Sequence, residues 1–284
     1  FMERCMDVRW YLPTKLGTTF QTRQTLGVAK ISDVRRSPYM TYRYVFKNYP
    51  ESLVGDSVKS ARVDIPLSKR DFDLWYFRSR IGGRPHDSNH SFYYMYNRFW
   101  KKSKNRPDLF EAEKPEYFAK GFDNLGRPPQ LCLTDPGLIK QCVKDAQDYF
   151  DGKDMKGKIR AAGDYLCLVP NDAAAWCHCE NCQKEILPKA TRGSYFNDSS
   201  SDYFFSFINK VARGINKTHP GKGVCTLAYA NYCYPPTKEK LEPNVDIMLC
   251  ISPRNWYNPK TKAEDIERLK VWSKTGNPLS LWMY

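Results

Sequence analysis

Short apolar runs ending in polar or turn residues alternate along the chain with stretches whose apolar positions repeat at helical spacing. Tyr42-Arg43-Tyr44-Val45-Phe46 is the first run, and Phe72 to Arg80 then reads as a helix. Asn89-His90-Ser91-Phe92 reads as a short strand or strand end, and Gln130-Leu131-Cys132-Leu133-Thr134-Asp135 as a clearer strand. Pro136 opens a helix with Leu138, Ile139, Cys142, Val143, Ala146 and Phe150 on its apolar face, since proline suits a first helical turn. Tyr165-Leu166-Cys167-Leu168-Val169 is the least interrupted run, as a strand buried on both faces should be. Tyr203 to Asn216 then sets Phe204, Phe207, Ile208, Val211 and Ile215 on one helical face. Strands follow at Gly223–Tyr229 and Val245–Ile251, a helix at Ala263–Lys274 and a last strand at Leu279–Tyr284.

This is the rhythm of βα units, and it predicts an α/β fold, a (β/α)8 barrel of the TIM type. Counting from Tyr42 gives about seven strands where a closed barrel has eight, so the barrel is expected to be incomplete at its C-terminus. Phe1 is not an initiator methionine, and the start is expected to be cut as well. Residues 1–36 read as the C-terminal end of a preceding domain with its linker, and residues 37–284 as the barrel.

Composition narrows the partners. At 284 residues and 41% hydrophobic content the chain can bury a large core. No stretch reaches the roughly 18 uninterrupted apolar residues that crossing a bilayer takes, so no membrane insertion is expected. The net charge of +14 attracts polyanions in general. Its densest runs, Arg35-Arg36, Lys101 to Arg106 and Lys153 to Arg160, sit in loop-like contexts, and no nucleic-acid-binding motif accompanies them, so nucleic acid is not the expected partner. Phosphate loops, nucleophile elbows and His-Glu-x-x-His helices are missing too.

In an α/β barrel the reactive groups lie at the C-terminal ends of the strands. Asn171-Asp172 ends the Tyr165 strand there, an amide able to hold a sugar hydroxyl beside a carboxyl able to act as acid, base or charge stabiliser. Pro170-Asn171-Asp172 is also ordinary turn chemistry. Asp135 ends another predicted strand, either as a substrate ligand or as the cap of the Pro136 helix. His90, one of four histidines, is a candidate for substrate binding, as is Tyr229. The aromatics Tyr229, Tyr232, Tyr234, Trp256, Trp282 and Tyr284 near later strand ends suit a sugar site and a barrel core equally. The cluster Cys177-His178-Cys179-Glu180-Asn181-Cys182 is the densest chemistry in the chain. Three thiolates supply three of the four ligands of a structural zinc site, with His178, Cys233 or a cysteine from elsewhere as the fourth. A disulfide or reduced packing are the other readings, and in each of the three the cluster pins the loop after Asp172.

Phe1-Met2-Glu3, Val8 to Pro13, Leu16-Gly17, Asn89 to Phe92, Glu116-Tyr117-Phe118-Ala119, Gln130 to Pro136, Val169-Pro170-Asn171-Asp172 with the cysteine cluster, and Leu227-Ala228-Tyr229 form an ordered series across the chain. It resembles the bacterial family called domain of unknown function 4838. That family is similar in layout to α-glucuronidases and β-hexosaminidases, a small α/β domain followed by a catalytic barrel. The resemblance implies that Arg9 to Pro13 closes the first domain, that the protein is exported, and that it hydrolyses glycosidic bonds of a poly- or oligosaccharide without a required cofactor. It implies Asp172 as the acid/base carboxyl and Asn171, His90 and Tyr229 as sugar ligands, with a non-catalytic carbohydrate-binding barrel as the alternative. Asp stands at 172 where many relatives have Glu, and Ala173-Ala174-Ala175 follows where glycine is expected.

Overall fold

The computed structural model describes residues 7–11, 17–22, 24–25, 42–43, 58–59, 64–65, 69–83, 88–173 and 175–284. It divides into two units, Phe1–Pro85 and His86–Tyr284. In the first, β1 (Arg9–Trp10) pairs antiparallel with β2 (Thr18–Thr19), and β3 (Tyr42–Arg43) with β6 (Gly82–Gly83). Between them β4 (Val58–Lys59) pairs with β5 (Asp64–Ile65), and α1 spans Lys69–Arg78. The Trp75 indole donates to the Trp10 carbonyl at 3.1 Å, and the Arg78 guanidinium stacks on the Trp10 ring at 5.0 Å. Tyr42 was expected to start a parallel barrel strand. Its described part is instead antiparallel to Gly82–Gly83, and Tyr44 to Phe46 lie outside the described residues.

The second unit is built on one five-stranded sheet in the order β11-β10-β9-β8-β7. Here β7 is Ala161–Ala162, β8 Tyr165–Cys167, β9 Gly223–Ala228, β10 Val245–Ile251 and β11 Leu279–Met283. The strands β8 to β11 are parallel, each beside the next in sequence, and β7 folds back antiparallel on β8. Register brings Leu166 opposite Val224, Thr226 opposite Ile247, and Leu249 opposite Leu281. Every residue of β9 and β10 is buried, which is why both read as apolar runs broken only by Thr226 and Asp246.

Helices cover the sheet where the apolar spacing put them. The helices before β8 are α2 (Tyr93–Phe99) and α3 (Pro136–Phe150). In α5 (Ser201–Thr218), the crossover from β8 to β9, Phe204, Phe207, Ile208, Val211 and Ile215 are all buried. Gly214 lets α5 approach α3: a methyl group there would come within 2.5 Å of Val143 Cγ2. The crossover from β10 to β11 is α6 (Pro259–Ser273), capped by the Asn258 side chain accepting from the Lys260 and Thr261 amides. No helix among the described residues is long and apolar enough to cross a membrane.

Two predicted strands are not strands. In the segment 130–135, Leu131 makes a single antiparallel bridge to Phe118, and the chain then turns, with the Asp135 amide donating to the Cys132 carbonyl at 3.0 Å. The segment 89–92 lies along the end of β8, held by backbone and side chain together. The Ser91 and Phe92 amides both donate to the Val169 carbonyl, at 2.9 and 3.2 Å, while Ser91 Oγ donates to the Cys167 carbonyl and accepts from the Val169 amide, both at 2.9 Å, so the contact is local and no regular ladder forms.

Candidate functional site

Because β8 to β11 are parallel, their C-terminal ends emerge on one edge of the sheet, where Tyr229 follows β9, Ser252 follows β10 and Tyr284 follows β11. Beyond β8 the ladder continues for one more bond, Leu168 N–H to the Cys225 carbonyl, and the chain then makes the turn Asn171–Ala173. Gln130, fully buried, grips that turn. Its Nε2 donates to the carbonyls of Asn171 (2.6 Å) and Ala173 (2.7 Å), and its Oε1 accepts from the Asn171 amide (3.1 Å). The Asn171 Nδ2 donates to the Tyr96 hydroxyl at 3.2 Å and the Pro129 carbonyl at 3.0 Å. Its Oδ1 is buried without a partner among the described residues. Asn171 thus faces inward, and its amide hydrogens are taken by the protein.

The neighbouring Asp172 is exposed and makes no hydrogen bond or ion pair among the described residues. Its charge is nevertheless felt. Burial first, then the Asp172 carboxylate, push the Tyr229 phenol up to about 12, and Asp172 also contributes to raising Tyr232 and Tyr284, again behind burial. Tyr229 and Tyr284 interact with one another through their hydroxyls. His90 stands edge-on to Tyr229, ring centres 6.3 Å apart, and Phe196 is at 5.8 Å on the same ring. His90 Nδ1 lies 2.5 Å from the Pro170 carbonyl. A carbonyl only accepts, so Nδ1 carries the proton, and in the neutral ring Nε2 is left as an acceptor. Arg254 adds a cation over the Tyr284 ring at 5.7 Å.

Asp172, His90 and Tyr229 are therefore brought together, and Asp135 is elsewhere. Its side chain accepts from the Leu138 amide at 2.8 Å as the cap of α3, and its charge acts on Tyr117. Sequence reasoning counted Tyr284 only among the aromatics that suit a sugar site and a core equally, and gave no role to Arg254 or Gln130. Arg254 follows a predicted strand, which was a usable signal; a glutamine inside an apolar run gave none.

The cysteines of the loop after Asp172 gather on the far side of the Gln130 clamp. Sγ atoms of Cys132, Cys177, Cys179 and Cys182 all lie within 4.8 Å of one another, and no disulfide joins them. The fourth sulfur is Cys132, not His178 or Cys233. His178 is exposed, packed on Phe122 with ring centres 4.7 Å apart, while the Cys233 carbonyl takes the Trp272 indole hydrogen. The Lys120 amide donates to Cys177 Sγ at 3.3 Å, and the Tyr203 hydroxyl to Cys182 Sγ at 3.2 Å. Hydrogen bonds from Cys132 and Cys182 hold the Cys177 thiol down at about 3, while those from Cys177 and Cys182 push Cys132 up.

The family model described as domain of unknown function (DUF4838) matches residues 12–284, and the chain belongs to that family. No curated protein and no solved structure matches the chain.

Proposed function

We propose that the edge formed by the C-terminal ends of β8 to β11 is a carbohydrate site in a glycoside-hydrolase-like (β/α)-barrel protein, with Asp172 as its acid/base carboxyl. The observation that carries this reading is that Asp172, without a hydrogen bond or ion pair among the described residues, acts on Tyr229 and Tyr284 at the ends of parallel strands. Four parallel strands in sequence order, with α5 and α6 in two of the crossovers, support this reading, since a (β/α)8 barrel is wound in that order and its ligands bind at this end. Tyrosine rings offer flat apolar faces for sugar C–H groups and hydroxyls for their oxygens. His90 Nε2 accepts a further sugar hydroxyl hydrogen, and Asn171 holds the turn that presents Asp172. Arg254 makes acidic sugars the first class to try. An exported location belongs to the same proposal and rests on family resemblance.

Glycoside hydrolysis takes two carboxyl groups about 5–10 Å apart, one to protonate the leaving oxygen and one to act as base or nucleophile. Among the described residues, Asp172 is the only carboxylate that contributes to raising Tyr229 or Tyr284. That observation favours a second reading, a site that binds glycan without cutting it. Both are tested by screening the protein on aryl glycosides and uronides and measuring oligosaccharide binding by calorimetry, beside Asp172→Asn. Cleavage that falls about 10²–10⁴-fold in the variant supports hydrolysis with Asp172 as acid/base. Binding without turnover supports the second reading, and cleavage unchanged in the variant removes Asp172 from the chemistry. Neither binding nor cleavage across the panel sinks the carbohydrate site.

A further inference from the structure

We propose that Cys132, Cys177, Cys179 and Cys182 form a closed tetrathiolate site for one zinc ion, which ties the loop after Asp172 to the segment 118–134. Zinc bound by four thiolates is tetrahedral with Zn–S near 2.3 Å, and the edge of such a tetrahedron is about 1.63 times longer, about 3.8 Å. Cys132 Sγ lies 3.8 Å from Cys179 Sγ and 3.7 Å from Cys182 Sγ. These separations are far longer than a disulfide bond and leave room for one ion between the sulfurs.

The surroundings suit metal ligands. Hydrogen-bond donors point at the sulfurs: the Lys120 amide at Cys177 and the Tyr203 hydroxyl at Cys182, with the Thr134 hydroxyl 3.1 Å from Cys182. Donors of this kind steady the ligands of metal centres from behind. Cys132, Cys177 and Cys182 are buried and Cys179 half-buried, so an ion among them would be shielded from water. Four protein ligands leave no open position, which makes the site structural. Cys179 caps the short helix α4 (Glu180–Gln183), and Cys182 sits inside it, so one ion fixes the whole turn from Cys177 onward. Cys132 lies two residues after Gln130, so the same ion steadies the clamp on the Asn171–Ala173 turn.

The test is metal analysis of the purified chain after dialysis against a weak chelator, with X-ray absorption at the zinc edge. The expected result is about one zinc per chain surrounded by four sulfurs at about 2.3 Å. Cys132→Ser and Cys182→Ser should each lose most of that zinc, and Cys233→Ser, a buried cysteine outside the cluster, should keep it. The absorption measurement on the unaltered protein stands even if a serine variant fails to fold. Zinc bound by nitrogen or oxygen, one equivalent of iron in its place, or retention of no metal with the four thiols free to react with a mercurial would each overturn the proposal.

Discussion

The ends of β8 and β10 leave the same edge of the sheet, and the aspartates beside them are treated in opposite ways. At the β10 end Asp265, reaching over from α6, is saturated: it accepts from the Ser252 amide at 3.0 Å and the Trp256 indole at 2.6 Å, and pairs with Arg268, both side chains 1% exposed. Arg268 in turn stacks on Phe196 and Tyr234. At the β8 end the backbone is the part that is held, by Gln130, while the Asp172 carboxylate stands in solvent without a hydrogen bond among the described residues. A buried carboxylate stabilises a fold only when its lone pairs are filled; one that is to meet a ligand must keep them open, so its placement has to come from neighbours. Asp265 is the first kind and Asp172 the second.

The most severe way to break this contrast is to remove each carboxylate. Asp265→Ala strands a buried guanidinium and should cost about 3–5 kcal/mol in urea denaturation. Asp172→Ala, at an exposed position, should stay within about 0.5 kcal/mol of the parent. Equal losses would mean that the two strand ends are not different in kind.

Much of this arrangement could be read from residue order, and what could not has physical causes. The strands β9 and β10 and the helix α5 were legible because burial on both faces of a strand leaves a short apolar run, and burial of one helical face leaves a period of about 3.6. Asp135 as a cap was one of two readings of Asp-Pro, and the bond to Leu138 selects it. The run 130–135 carries the same apolar signal as a strand, but Gln130 is drawn to the Asn171 turn and Cys132 to the cysteine cluster, so the segment bends. Along 89–92 two backbone amides converge on the Val169 carbonyl and the Ser91 hydroxyl adds two more bonds, a local arrangement that no periodicity records. The pairing of Cys132 with Cys179 spans 47 positions, and a lone cysteine in an apolar run reads as a small hydrophobe. Among the described residues Asp172 and Tyr229, which follow β8 and β9, lie at the same edge, and His90 reaches Tyr229 from a segment that is not a strand.

A gentler perturbation asks whether the turn, rather than the carboxylate, sets the site. Gln130→Leu fits the same buried space but leaves the Asn171 amide and the Asn171 and Ala173 carbonyls without their partner. The expected loss is about 3 kcal/mol, within the cost of stranding buried hydrogen-bonding groups, measured by the same denaturation. Carbohydrate binding should fall with it in calorimetry. Asp172→Asn should lower binding with the fold unchanged, so the two variants separate holding the turn from using it. A Gln130→Leu protein of parental stability would show that the clamp is not what keeps Asp172 in place.

The smallest effect is also the most direct probe of the open end. The Tyr229 phenol is raised from 10.0 to about 12, by burial first and then by the Asp172 charge. A raised phenol favours the neutral form in the fold, whereas the unfolded chain ionises near 10.0. Its contribution to stability is therefore complete below that pH and is lost as pH rises from about 10 through about 12. Asp172→Asn removes a negative charge while leaving the burial, so Tyr229 should titrate at lower pH and its window should narrow. Subtracting the ultraviolet phenolate titration of Tyr229→Phe from that of the parent isolates this one group, and the same subtraction in the Asp172→Asn background gives the shift. Asp135→Asn, whose charge acts on Tyr117 and not on Tyr229, should leave the difference curve where it is. If Asp172→Asn leaves it there too, the carboxylate does not face Tyr229, and the strand-end site loses its centre.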